Sequence, residues 1–207
     1  MQPQAQPFGK PERRHRDATG AVVSAIARAA VSAYPDRMTV SFGRHLLILR
    51  HAHSSWARPG QRDHQRPLDT RGEEDAARLA EIVARERLSI DAVACSTATR
   101  AVDTLAALQA VIGEAVPVAY SDDLYALGTE AYYAAAKNGG EAAALLIVGH
   151  NPTIEDFTRS LAQSGEEEAL AAIAAGFPTA ALAIVGLDRP FGEIEPGSGH
   201  LCRVIRP

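Results

Sequence analysis

Two short runs constrain this chain more than anything else in it. Leu46-Leu47-Ile48-Leu49 and Leu145-Leu146-Ile147-Val148 are apolar at every position, with no alternation. A strand that shows water neither of its faces reads this way, and such strands belong to parallel sheets covered by helices on both sides. From His45 onward, strand-like and helix-like segments alternate around them. After the first run comes a polar loop rich in Arg, His, Pro and Gly, and then Thr70-Arg71-Gly72-Glu73, which spells a capping box. In it Thr70 is expected to accept a backbone N–H while Glu73 reaches back, opening a helix through Ala76, Leu79, Ala80 and Val83.

Asp91 to Cys95 reads as a second strand, followed by a helix through Ala101, Val102, Leu105, Leu108 and Ile112 that stops at Gly113. A third strand is expected from Pro117 to Tyr120, and a helix opening at Thr129 is ended by Asn138-Gly139-Gly140. Ala180 to Leu187 and Leu201 to Ile205 are strand-like, and Glu166-Glu167-Glu168 reads as a solvated helix start. The order predicts a three-layer α/β/α sandwich on a mainly parallel sheet, with an antiparallel strand at its edge.

At 207 residues and 46% hydrophobic composition, one domain can bury its core without disulfide or structural metal. A net charge of -4 argues against nucleic acid as a partner, because a phosphate backbone demands a basic face. No apolar stretch approaches the roughly 18 residues that cross a bilayer. Cys95 and Cys202 sit within strand-like runs and read as buried thiols of a reducing cytoplasm. Near the N-terminus, Lys10 to Arg16 is basic and Ala21 to Tyr34 is Ala/Val-rich, but Arg28 interrupts it and no clear cleavage site follows. This reads as a short amphipathic helix or an untethered extension, not a signal peptide. Met38 precedes the first strand, so residues 1–37 are expected to be dispensable. The expected division is an extension over 1–44 and one domain over 45–207, with the oligomeric state left open.

Open α/β sheets bind ligands outside the carboxyl ends of their strands. Here those ends release Arg50-His51, then Ser96 with Arg100, then His150. Guanidinium forks match phosphate oxygens, and Arg100 also falls in the first turn of its helix, where backbone N–H groups add positive potential. The implied ligand is phosphate. A neutral imidazole inside such a clamp can attack phosphorus and form a covalent phosphoenzyme. His51 is the expected nucleophile, with Arg50, Arg100 and His150 stabilising the transferred group, Arg66 as a further contact and no metal or cofactor required.

Arg50-His51-Ala52 with Ser54-Ser55-Trp56, Arg66-Pro67-Leu68, Thr70-Arg71-Gly72, Ser96-Thr97-Ala98-Thr99-Arg100-Ala101 and Gly149-His150-Asn151-Pro152 together resemble the histidine phosphatase superfamily. Phe177-Pro178-Thr179 and Pro196-Gly197-Ser198-Gly199 add to the likeness, which runs from about Leu46 to the C-terminus and is nearest the SixA-type phosphohistidine phosphatases. The resemblance implies a phosphoglycerate mutase-like fold, His51 as the phosphorylated residue, and Arg50, Arg100 and His150 completing the core quartet; Arg66, Ser54 and Trp56, in the loop after the nucleophile, are expected to contact substrate. The chain departs from the pattern twice. His53 stands where many relatives have Lys, and Leu124-Tyr125-Ala126-Leu127 lacks a Glu that related enzymes use to protonate an alkoxide, leaving Asp123 and Glu130 as stand-ins. Imidazole is less basic than an alkoxide and needs less help to depart. With little sequence for a lid, the expected substrate is therefore phosphohistidine in a protein.

Other readings remain at this stage. A phosphatase of small phosphorylated metabolites and a phosphate-binding module without turnover fit the same residues. His51, His53 and His150 could ligate a metal, although the neighbouring arginines would repel a cation. Cys95 and Arg100 are separated by four residues where the cysteine phosphatases have five, so core packing is the expected role of Cys95. His15, His45, His64 and His200 are expected at the surface, without chemistry.

Overall fold

The computed structural model of the chain describes residues 42–56 and 58–207. The N-terminal helix expected over 21–34, His15 and the segment 1–37 lie outside the described residues. Strands β1 (Arg44–Arg50), β2 (Ala92–Ser96), β3 (Val118–Ser121), β4 (Ala144–Gly149), β5 (Ala162–Gly165), β6 (Leu182–Leu187) and β7 (Gly199–Ile205) form one sheet in the order β3-β2-β4-β1-β6-β7-β5. Helices α1 (Thr70–Arg85), α2 (Thr99–Ile112), α3 (Asp123–Ala126), α4 (Thr129–Lys137), α5 (Thr153–Leu161) and α6 (Glu167–Ala174) lie between them in sequence.

The two apolar runs become β1 and β4, which pair in parallel at the centre of the sheet with Leu46 opposite Leu145 and Leu49 opposite Val148. Leu46, Ile48, Leu145 and Ile147 join one cluster with Tyr132, Ile154, Phe157, Leu161 and Ile173 from α4, α5 and α6. The alternate residues Leu47, Leu49, Leu146 and Val148 are buried as fully on the other side. There α1 and α2, packed against each other, supply the opposite layer. Strands apolar on both faces are thus covered on both faces, and the three-layer expectation holds.

Two local expectations change. The antiparallel strand is not at an edge: β6 runs antiparallel between β1 and β7. Every residue of β6 is buried, whereas the edge strands β3 and β5 are four-residue strands with half-exposed or exposed positions. A wholly apolar strand needs a neighbour on each side, and short polar strands make safer edges. The cap of α1 is Asp69, whose carboxylate accepts the Gly72 N–H at 2.9 Å; Thr70 is already helical. Aspartate caps as well as threonine does, and it sits one residue earlier. β5 and the single turn α3 had no apolar pattern to announce them.

Candidate active site

β2, β4 and β1 are adjacent and parallel, so their carboxyl ends share one rim. Arg50 lies opposite Gly149, which makes the next residues, His51 and His150, neighbours; their ring centroids are 4.8 Å apart. Cys95 lies opposite Val148, bringing Ser96 Oγ to 2.8 Å from His150 Nε2. Arg100 follows in the first turn of α2 and is buried.

Hydrogen bonds fix the state of the His51 ring. Its Nδ1 is 2.7 Å from the Ala52 carbonyl, which can only accept, so Nδ1 carries the proton and Nε2 the lone pair. Arg100 Nε–H donates to that Nε2 at 3.1 Å. Ala52 is itself held, because its N–H donates to Thr104 Oγ1 at 3.0 Å, and the Thr104 hydroxyl donates to Arg100 O at 2.6 Å. Helix α2 therefore supplies both an arginine and the strut that orients the imidazole beside it.

The other cations converge from separate segments. Arg50 Nη1 donates to the Phe177 carbonyl at 2.7 Å, and the Ala180 N–H bonds back to Arg50 O and His51 O. Asp63, in a short 3-10 turn, links two arginines. Its Oδ1 lies 2.9 Å from Arg66 Nε, its Oδ2 accepts Arg100 Nη2 at 3.0 Å, and its backbone carbonyl accepts Arg100 Nη1 at 2.8 Å. The Tyr125 hydroxyl donates to the same Oδ2 at 2.9 Å, and the Tyr125 ring meets His150 edge-on at 5.4 Å. Burial works to raise the Asp63 carboxyl, but the Tyr125 hydroxyl and the two guanidiniums outweigh it and hold it below its ordinary value.

Arg50, His51, Arg66, Arg100 and His150 line a cleft of about 270 Å³ together with His53, Ser54, Trp56, Asn151 and Thr179. All seven side chains expected at the site, Arg50, His51, Ser54, Trp56, Arg66, Arg100 and His150, meet there. Trp56 is 88% exposed at the rim. Burial, followed by the positive charge of the surrounding arginines, pushes the His51 pKa down to about 3. Burial, His51 and Arg100 do the same to His150, also to about 3. Both rings are neutral at ordinary pH. Arg50 Nε is buried without a hydrogen bond, and a buried donor of this kind asks for an acceptor. Three guanidiniums and a neutral imidazole with a free lone pair can bind a phosphoryl dianion and accept it on nitrogen.

The structure corrects several expectations. Asp123 and Glu130 are exposed and do not line the cleft; Glu130 Oε1 accepts the Gly128 N–H instead. His64 is not a plain surface residue, since its Nε2 lies 2.9 Å from Thr97 Oγ1 and its ring packs edge-on to Tyr125 at 4.9 Å. His45 and His200 are half-buried against Phe42. Asp63, Tyr125, Asn151 and Thr179 went unpredicted as site residues. Cys95 is buried in β2 with its pKa pushed up to about 12 by burial, which suits packing and not nucleophilic attack. Among the described residues, no three His, Cys, Asp or Glu side chains are placed to share a metal ion.

The sequence matches the histidine phosphatase superfamily (branch 1) over residues 46–129. An uncharacterised protein of Mycobacterium tuberculosis is 35% identical over 156 residues, which is 74% of this chain and 96% of that protein. A structure from Agrobacterium tumefaciens, assigned as the phosphohistidine phosphatase SixA, superposes with a TM-score of 0.68 at 31% identity, covering 81% of this chain and 100% of that one. A structure from Nakamurella multipartitia with the same assignment has a TM-score of 0.67 at 27% identity, covering 79% and 96%. The chain belongs to the histidine phosphatase superfamily, on its SixA-type branch. Among the described residues, no helix is long and apolar enough to cross a membrane.

Proposed function

We propose that this phosphatase removes phosphate from phosphohistidine in proteins, without a metal, by way of a phosphoryl group carried on His51 Nε2. The observation that carries the reading is the His51 tautomer: Nδ1 is committed to the Ala52 carbonyl, and the unprotonated Nε2 faces Arg100. An entering phosphoryl group takes the Arg100 Nε–H onto one of its oxygens, and Arg50, Arg66 and His150 meet the others. Nε2 then attacks phosphorus as the bond to the leaving group breaks. Fixed charge of this kind stabilises the transferring oxygens without reorganising. Water then attacks the same phosphorus, releasing inorganic phosphate and restoring the ring.

Phosphohistidine is favoured as substrate for two reasons. Among the described residues no Asp or Glu lines the cleft to protonate an alkoxide, and the more weakly basic imidazole departs more readily. The exposed Trp56 at the rim suits contact with a protein surface. The 31% identical structure assigned as SixA supports the same substrate class. The unpaired thiols of Cys95 and Cys202 support a cytoplasmic setting. Incubation with a labelled phosphohistidine protein and with an aryl phosphate tests the proposal. Release from the first and much less from the second is expected, and a chelator leaves the rate unchanged. Efficient release from both points to a broad phosphatase of small metabolites, and binding without release to a phosphate-recognition module.

A further inference from the structure

The reaction proposed above needs a proton for the departing group and then a base for the incoming water. Among the described residues, the ionisable side chains lining the cleft are Arg50, Arg66, Arg100, His51, His53 and His150. Arginine does not give up its proton at working pH. His51 is the nucleophile, and burial leaves both it and His150 without a proton to spare. His53 remains.

The ring of His53 is held as a proton carrier needs to be. Its Nδ1 lies 2.6 Å from Asp69 Oδ2, and its backbone carbonyl accepts the Asp69 N–H at 3.4 Å. Asp69 is fixed in turn by capping α1 through the Gly72 N–H, which also leads the interactions that keep its carboxyl below the ordinary value. The close approach depends on Gly72, since a Cβ there would lie 1.9 Å from the His53 carbonyl oxygen. With Nδ1–H committed to a carboxylate, Nε2 is the nitrogen left for chemistry, on a ring that lines the cleft. Among the described residues, no group hydrogen-bonds to it.

We propose that His53, oriented by Asp69, is the proton carrier of the reaction. As the His51 Nε2–phosphorus bond forms and the substrate bond breaks, protonated His53 gives its Nε2 proton to the departing atom, which leaves neutral. The neutral His53 then takes a proton from the attacking water as oxygen bonds to phosphorus and His51 Nε2 departs, so that both rings and the proton count return to the start. The proposal rests on the reading of His51 as nucleophile. It assigns to His53 a function that a lysine at that position performs poorly, because the ammonium holds its proton more tightly than imidazole does.

The test measures single-turnover phosphoryl transfer to the enzyme from 4-nitrophenyl phosphate and from phenyl phosphate, in the wild type and in His53→Gln. Glutamine can still hydrogen-bond to Asp69 but cannot carry the proton. General acid catalysis contributes at least about a hundredfold, and mostly where the leaving group is strongly basic. His53→Gln should therefore lose at least about a hundredfold on phenyl phosphate and less than about tenfold on 4-nitrophenyl phosphate. An equal loss on both, or a loss on neither, overturns the role of His53 while labelled His51 upholds the parent reading. Failure of the wild type to label His51 from either donor and from a labelled phosphohistidine protein defeats the nucleophile reading, and this proposal with it.

Discussion

At Asp63 one carboxylate divides its oxygens between Arg66, Arg100 and Tyr125. Its negative charge does two opposing things. It holds Arg100 so that Nε points at His51, and it offsets part of the positive charge that would attract a phosphoryl dianion. Asp63→Asn should accordingly lower KM, because the cleft becomes more cationic, and lower kcat by about tenfold, because Arg100 is less firmly oriented. Steady-state kinetics would show this split; a rise in KM at constant kcat would mean that Asp63 serves binding instead. The sequence made Arg50, His51, Arg100 and His150 legible because each follows directly from the end of an apolar strand. It hid Asp63 and Tyr125, which come from a loop and a single helical turn whose positions are set by the side chains they meet and by no periodic pattern.

Between β4 and α5 the chain must turn so that His150 enters the cleft, and the helical layer behind the sheet determines how. The Tyr132 hydroxyl, fully buried on α4, accepts the His150 N–H at 3.0 Å and donates to the Leu124 carbonyl of α3 at 2.9 Å. Gly149 gives that ring its room, since a Cβ there would lie 2.2 Å from the Tyr132 oxygen. Gly149→Ala should destabilise the fold by about 1–3 kcal/mol through overpacking. Tyr132→Phe should cost about 1–3 kcal/mol by leaving a buried N–H and carbonyl unpaired. Both should weaken phosphate binding, as read by the phosphate-dependent rise in Tm; unchanged denaturant midpoints would refute this account of the turn. Parallel β1 and β4 were readable from their unbroken apolar runs, and α2 from its spacing and its stop at Gly113. The interior place of β6 was not, because an apolar strand shows that it needs neighbours without showing which way it runs beside them.

Over the whole molecule, the cleft leaves a signature in the dependence of stability on pH. His51 and His150 have folded pKa values of about 3, against about 6.5 for an unperturbed imidazole. The unfolded chain therefore takes up protons at these sites that the folded chain refuses. Their contribution to stability is fully present above about pH 6.5 and is lost as pH falls toward about 3, a change of the order of a few kcal/mol. Urea midpoints at pH 7 and pH 4 should differ less in a His51→Gln, His150→Gln double variant than in the wild type, and an equal difference would place the sensitivity elsewhere. The same buried, neutral His51 is the centre of the mechanism, so the chemistry it performs is the most direct test. After millisecond exposure to a labelled phosphoryl donor and an alkaline quench, digestion and mass mapping should find one acid-labile phosphoryl group per chain, on Nε2 of His51, and none in His51→Gln. Label on another side chain, or full turnover by His51→Gln, would contradict the account.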